Sequence, residues 1–325
     1  MTTGLIINPR SGKHGGRGLR LQELVQRSSG MRAAVLEDFA ALPAMLQEFS
    51  ASGVETLAIS SGDGTVQAIQ TELAERNTFA SLPSLLLLPH GTANMTAADL
   101  GLGVRNLDDI ASLLSSPARL RGLARRRRPT LRAVNPGSGG PRHGMFIGAG
   151  SIYDGARFCQ EKVYATGTRG NLAIVATLTA AIANMLLRGR KTSATRLAGP
   201  HRIRLSADGR TVVDGDQLFF LATTLERLVL GMRPFWGGKS APVRATVIPY
   251  PVPGLVGWLW PSMYGPEDRR MPPGSVSLSA HALDVWSSSS FVIDGEFFDG
   301  PQDGPLRIET GPHFTYLCSP RGPAR

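Results

Sequence analysis

The sequence predicts an α/β N-terminal domain followed by a mostly β C-terminal domain, and three observations carry that expectation. The first ~115 residues repeat a short apolar strand, a Gly-rich or polar turn and a helical stretch, the pattern of parallel βαβ units. Seven arginines without a single acid then occupy 119–132. Beyond them the chain becomes a series of short, alternating, β-rich runs. A length of 325 residues is enough for two cores, and the arginine run reads as the boundary between them.

Residues 5–7, 56–59 and 85–88 are short, largely apolar runs, each bounded by a turn, and each reads as a buried strand. The first runs into Asn8-Pro9-Arg10-Ser11-Gly12-Lys13-His14-Gly15-Gly16, the second into Ser60-Ser61-Gly62-Asp63-Gly64-Thr65, the third into Pro89-His90-Gly91-Thr92-Ala93-Asn94. Loops at the carboxyl ends of parallel strands share one edge of the sheet, so these three turns should converge there and form the site. In the second half the strands are expected at 131–135, 145–149, 203–205, 218–223, 243–248 and 291–293, with Asp208-Gly209 as a hairpin turn and Asp214-Gly215 as a further turn. Two stretches break the β pattern. Residues 171–187 read as a buried or interfacial helix, since 17 residues containing Thr177, Thr179 and Asn184 are at the lower limit for a membrane span. Residues 250–273 read as a Pro/Trp-rich loop.

Charge and composition narrow the function. The formal net charge is +10 and only four of the 35 basic residues are lysines, so the surface attracts anions: phosphates, nucleic acid or acidic lipid headgroups. Aromatic residues are only 6% and do not interleave with the basic run, which disfavours nucleic acid. Cys159 and Cys318 alone encode no disulfide framework, the N-terminus has no secretory pattern, and the expected location is cytoplasmic. The six histidines show no HExxH or paired spacing, and no GxSxG elbow occurs, which argues against zinc and α/β-hydrolase chemistry.

Two glycines around Asp63 let the backbone approach a ligand and aim N–H groups at phosphate oxygens, while the carboxylate could order Mg²⁺ or take a proton; an ordinary Asp-Gly turn has the same sequence. The first turn departs from a Walker P-loop, because Ile7 and His14 stand where Gly and Ser or Thr are required. It remains a polar strand-to-helix turn able to hold phosphates through Arg10, Lys13 and helix N–H donors. Thr92 and Asn94 offer hydrogen bonds to a ligand or serve as helix caps. Asp294-Gly295-Glu296 puts two carboxylates at a strand end, where one could take a proton from a substrate hydroxyl, although a hairpin turn is the commoner meaning of such a triplet.

The order and spacing of these pieces resemble the diacylglycerol kinase catalytic family, which includes sphingosine and ceramide kinases and bacterial lipid kinases. Asn8 to Gly12 is similar to its NPxSG start, Ser61 to Thr65 to its GGDGT, Pro89 to Asn94 to its PxGTxN, and Asp294 to Glu296 to its DGE. Ser61 in place of the first Gly is similar to the SGDG of the sphingosine kinase branch. Met95 and Thr130 stand at positions where the family usually carries acids of its Mg²⁺ network.

The resemblance implies an ATP-binding domain over 1–127, joined by a returning segment at about 310–325, and a β-sandwich over 128–309 that carries the lipid site. It implies that ATP is held by Asn8, Pro9, Arg10, Ser11, Gly12, Ser61, Gly62, Gly64, Thr65, Val66, Gln67, Gly91, Thr92 and Asn94. Asp63, with Mg²⁺, and Asp294 with Glu296 across a cleft between the domains, would carry catalysis of phosphoryl transfer to a hydroxyl of ceramide, another sphingoid lipid or diacylglycerol. Trp258, Trp260 and Tyr264 suit either a membrane headgroup boundary or a loop covering the second domain's core, and the arginine run suits either an anionic lipid surface or a solvated interdomain linker; with the lipid substrate, the expected state is peripheral on the membrane. Two other readings compete: a soluble nucleotide or NAD kinase using the same GGDGT turn, and an ATP-binding regulatory protein without catalysis.

Overall fold

The computed structural model describes residues 2–11, 16–29, 31–91, 94–102, 106–137, 139–160 and 199–319. The helix expected at 171–187 lies outside them. By its own contacts the chain divides into unit 1, Met1–Pro129 with Pro312–Arg325, and unit 2, Thr130–Gly311.

Unit 1 is built on a parallel sheet of β1 (Thr3–Ile7), β2 (Arg32–Val35), β3 (Thr56–Ser61) and β4 (Ser84–Pro89), in the order β2-β1-β3-β4, with Tyr316 of the last strand of the chain paired beside Leu85. Every residue of β1 and β3 is buried, as is the Leu85–Leu88 run of β4, because helices cover both faces of such a sheet. Leu5, Ile7, Ala58, Leu86 and Leu88 share one face with Leu21 and Val25 of α1 (Gly16–Ser29) and with Ile110, Leu113 and Leu114 of α5 (Leu107–Leu114). Two further helices, α2 (Leu42–Ala51) and α3 (Asp63–Glu75), bury Leu46 and Phe49, and Val66, Ile69 and Leu73, respectively. Between α3 and α5 lies the single-turn-plus helix α4 (Met95–Leu100). The register pairs Ile7 with Ser60 and Ser61 with Pro89, so the carboxyl ends of β1, β3 and β4 are level with one another.

The arginine run, expected at the boundary between domains, is regular structure: α6 (Pro117–Arg121) leads into β5 (Ala124–Ala133), and the boundary between the units falls inside β5. Strand alternation turns Arg125 and Arg127 outward, while Arg126 donates to the carbonyl of Asp99 at 3.3 Å.

Unit 2 adds β6 (Arg142–Gly144), β7 (Phe146–Gly150), α7 (Ser151–Phe158), β8 (His201–Ala207), β9 (Arg210–Thr223), β10 (Val243–Pro249), α8 (Leu255–Tyr264), β11 (Val276–Ala280), β12 (Ala282–Ser287), β13 (Phe291–Ile293), β14 (Glu296–Phe298) and the first part of β15 (Leu306–Cys318). Apart from α7, α8 and one short 3₁₀ turn, its described regular structure is β. Long strand β9 organises it: the first half pairs antiparallel with β8, the second half with β7 and β10. Its inward positions, among them Phe220 and Ala222, meet Ile147, Leu205, Val247, Leu283, Phe291 and Ile308 in one core. Asp208 and Gly209 both have positive φ, 47° and 81°, and make the two-residue β8–β9 hairpin turn. Asp214-Gly215, expected as a turn, instead lies within β9, where pairing of Gly215 with Ile203 overrides the local preference. The Pro/Trp-rich loop is likewise corrected: its centre is helix α8, with Pro261 inside it.

Candidate functional site

The three turns of unit 1 do converge, and the contacts between them are specific. Asn8 starts the first turn with an Asx bond, its Oδ1 accepting from the N–H of Arg10 at 2.9 Å. Its Nδ2 crosses to the second turn and donates to Thr65 Oγ1 at 2.8 Å. Ser11 and Ser61 share a hydrogen bond between their hydroxyls at 2.9 Å, and Ser11 Oγ also accepts from the N–H of Gly62 at 3.3 Å. Ser61, Thr65, Val66 and Gln67 are buried, while residues 62–64 are half-buried and keep part of their surface open beside the backbone N–H groups at the helix start.

The third turn closes onto the second. The N–H of His90 donates to the carbonyl of Ser61 at 3.3 Å. A Cβ on Gly91 would collide with the Cα of Gly62, so only glycine lets these two backbones approach so closely. Asn94 stands in the left-handed region at φ 49° and clamps Gly91 from both sides, accepting from its N–H at 2.8 Å and donating to its carbonyl at 2.6 Å. Asn94 is thus the brace of its turn, a role set by local geometry. Gly12 and Thr92 lie outside the described residues.

Asp63 opens α3 and is half-buried. Its Oδ2 accepts from the N–H of Met95 at 2.8 Å and its Oδ1 from that of Thr96 at 3.0 Å, so it ties the α3 turn to the start of α4. Burial pushes its pKa above the usual carboxylate value, against the opposing pull of those two backbone hydrogen bonds. Met95 is buried, as is Thr130, whose hydroxyl bonds His143 Nδ1 at 2.8 Å inside unit 2. Among the described residues no three His, Cys, Asp or Glu side chains are grouped to hold a metal.

Sequence reasoning passes over the pair His90 and Ser60. His90 Nδ1 is 2.6 Å from Ser60 Oγ, and the imidazole is held neutral, its pKa lowered to about 4 by burial and then by the charge of Arg17. The available signal is position: Ser60 immediately precedes the Ser61–Thr65 motif and His90 stands inside the Pro89–Asn94 one.

In unit 2, Asp294 and Gly295 have φ of 48° and 92° and make the β13–β14 hairpin turn. Asp294 is 5% exposed, and its carboxylate accepts from the N–H groups of Met145 and Phe146 at 2.8 and 2.9 Å. Glu296 is exposed at the first position of β14. On α8, Trp258 is half-buried while Trp260 and Tyr264 are exposed, their rings 4.6 Å apart.

Residues 2–121 match the family described as the diacylglycerol kinase catalytic domain. Unit 1 thus carries a domain of the diacylglycerol kinase catalytic family. The match to this kinase family includes all three converging turns. No curated protein matches the chain significantly. Among solved structures, a diacylglycerol kinase from Bacillus anthracis str. Sterne is 17% identical with a TM-score of 0.62, and the alignment covers 98% of this chain and 97% of that one. A second structure from the same strain gives 17% identity, a TM-score of 0.65 and the same coverage. At that identity the likeness shows the fold, and it extends over both units.

Proposed function

We propose that this protein is an ATP-dependent lipid kinase, transferring the γ-phosphate to a hydroxyl of a membrane lipid, with ceramide, another sphingoid lipid or diacylglycerol as acceptor. The observation that carries this reading is the interlocked edge of unit 1, in which Asn8, Ser11, Ser61, Gly62 and Gly91 are drawn together by hydrogen bonds and one backbone approach that tolerates no Cβ. Such a Gly-rich strand-to-helix turn fits the polyphosphate of a nucleotide.

Phosphoryl transfer demands positioning and charge stabilisation more than covalent chemistry from the protein. In this reading Ser11, Ser61 and the backbone at 62–64 bind phosphate oxygens, and Arg10 offsets their charge. Asp63 holds the α3 and α4 turns in register, and its negative charge at the start of α3 is favoured by the helix dipole. Of the two carboxylates in the 294–296 triplet, Asp294 is committed to backbone N–H groups, which leaves Glu296 as the group to accept the acceptor's hydroxyl proton. A carboxylate is a weak base for an alcohol, so that proton leaves late, as the new P–O bond forms. Mg²⁺ would enter with the nucleotide phosphates, which commonly supply part of its ligand shell. The protein works peripherally at an anionic, cytoplasmic membrane surface, where Arg125 and Arg127 add attraction of ~1 kcal/mol each.

The test is incubation with γ-labelled ATP and a panel of ceramide, sphingosine, diacylglycerol, NAD and nucleosides, with the products separated by thin-layer chromatography. Label in one lipid supports the reading. Label only in NAD or a nucleoside overturns it in favour of a soluble-substrate kinase, and nucleotide binding without transfer to any acceptor overturns it in favour of a regulatory protein.

A further inference from the structure

The most exposed large apolar side chain among the described residues is Trp260, at 73%, and it does not stand alone. Tyr264, one helical turn later and 39% exposed, stacks on it. The Tyr264 hydroxyl donates to the carbonyl of Leu230 at 3.4 Å, and Leu230 is itself 50% exposed in a short turn where it adopts φ 58°. A branched side chain held outward in the left-handed region, beside two exposed rings, is an arrangement that folding alone does not favour.

The platform beneath this tip is braced. Pro261 interrupts α8, and the Arg269 guanidinium accounts for carbonyls at that end of the helix, donating to Pro261 and Ser262 at 3.1 and 3.3 Å. Its Nη2 donates to the carbonyls of Arg233 and Phe235 at 2.7 and 2.6 Å, and the N–H of Arg233 donates to the carbonyl of Met263 at 2.7 Å. One arginine therefore fastens α8 to the segment that carries Leu230, so the three apolar groups keep a fixed relation.

We infer that Leu230, Trp260 and Tyr264 form a tip by which unit 2 inserts into the headgroup boundary of an anionic bilayer. Ten helical residues span ~15 Å, half of the hydrocarbon thickness, so α8 lies in the interface and does not cross it. Trp and Tyr are the side chains that suit that depth. The charge around the tip matches: Arg233 and Arg270 are exposed and form no ion pair among the described residues, while Glu226 and Glu267 are both engaged by Lys239, leaving Asp268 as the opposing acid. Three side chains are too few for a stable protein interface, which takes roughly 800 Å² from each partner, whereas interfacial anchoring needs only a few aromatics. This deepens the lipid-kinase reading by naming the surface that meets the acceptor's membrane, and it leaves the half-buried Trp258 out of the contact.

The experiment is sedimentation of the full chain with vesicles of phosphatidylcholine alone or mixed with phosphatidylserine. The variants are Trp260→Ser with Tyr264→Ser, Leu230→Asn, and Arg233→Ser with Arg270→Ser, with circular dichroism confirming folding. The double aromatic variant should lose at least ~10-fold in partitioning on both vesicle types. Leu230→Asn should lose less, and the double arginine variant should lose ~5-fold per charge on the anionic vesicles only. Brominated lipids should quench tryptophan emission in the parent and much less in the aromatic variant. Unchanged partitioning and quenching in that variant overturn the inference, as does a change from dimer to monomer on light scattering with vesicle binding intact, which would mean a second copy covers the tip. Vesicle binding that depends on the tip, in a protein that phosphorylates no lipid, overturns the proposed function and leaves the docking surface standing.

Discussion

Asp63-Gly64 in unit 1 and Asp294-Gly295 in unit 2 are the same dipeptide at the end of a strand, and in both the carboxylate accepts two successive backbone N–H groups from another segment. They differ in the element that each one starts. Asp63 opens a helix, and its latch holds two Gly-rich turns against each other; Asp294 has positive φ, turns the chain back into β14, and latches that hairpin onto the start of β7. A third copy, Asp208-Gly209, repeats the hairpin form and accepts from His281 and Ala282. An Asp-Gly carboxylate is thus a structural latch first in this protein, and chemistry depends on which groups the latch places beside it.

The largest expected effect tests that view directly. Asp63→Asn keeps the shape but presents an amide N–H₂ to one of two backbone donors, so α4 loses a bond and the site loses its charge; kinase turnover should fall by ~10² or more. Near-parental turnover in a folded Asp63→Asn protein would remove Asp63 from the site. The second comparison separates the neighbours in unit 2. Glu296→Gln should lower kcat by ~10² with little change in the urea midpoint. Asp294→Asn should do the reverse, destabilising unit 2 by ~2 kcal/mol because a buried carboxylate bonded to two N–H groups is broken. Equal stability losses in the two variants would erase the distinction drawn between them.

A smaller effect comes from the close approach of the turns. Gly91→Ala should destabilise unit 1 by ~1–3 kcal/mol and raise the KM for ATP, because the new methyl must push the third turn off Gly62. A parental KM would show that the approach is dispensable for nucleotide binding. The smallest effect is a pH dependence. His90 binds its proton less readily folded, at about 4, than unfolded, at 6.5, so the unfolded chain takes up more protons between those values and stability falls as pH drops from 6.5 towards 4. Asp63, whose pKa is raised, contributes in the opposite sense as its carboxyl ionises. The difference between the parent and His90→Asn in urea midpoint against pH therefore isolates the histidine, and parallel curves would show that His90 titrates normally.

Much of unit 1 is legible in the sequence because its signals are local. Residues 5–7, 56–59 and 85–88 are largely apolar runs ending at Asn, Ser-Gly and Pro-His-Gly turns, and a strand buried on both faces is mostly apolar. The four-residue strand β2 escapes such reading because Arg-Ala-Ala-Val is half-exposed and carries no period. Helix α8 reads as a loop for a similar reason: Gly, Pro and Trp disfavour a helix locally, and the carbonyl partners that stabilise it come from Arg269.

The sequence by itself determined the parallel sheet, the edge on which its turns meet and the hairpin at Asp208, since apolar runs and turn residues act within a few positions of themselves. Only the tertiary structure decided the length of β9, the joining of His90 to Ser60, the commitment of Asp63 and Asp294 to distant backbone N–H groups, and the outward display of Leu230 beside Trp260. Each of these pairs groups from separate parts of the chain, and buried polar atoms find their partners in space once packing has removed water.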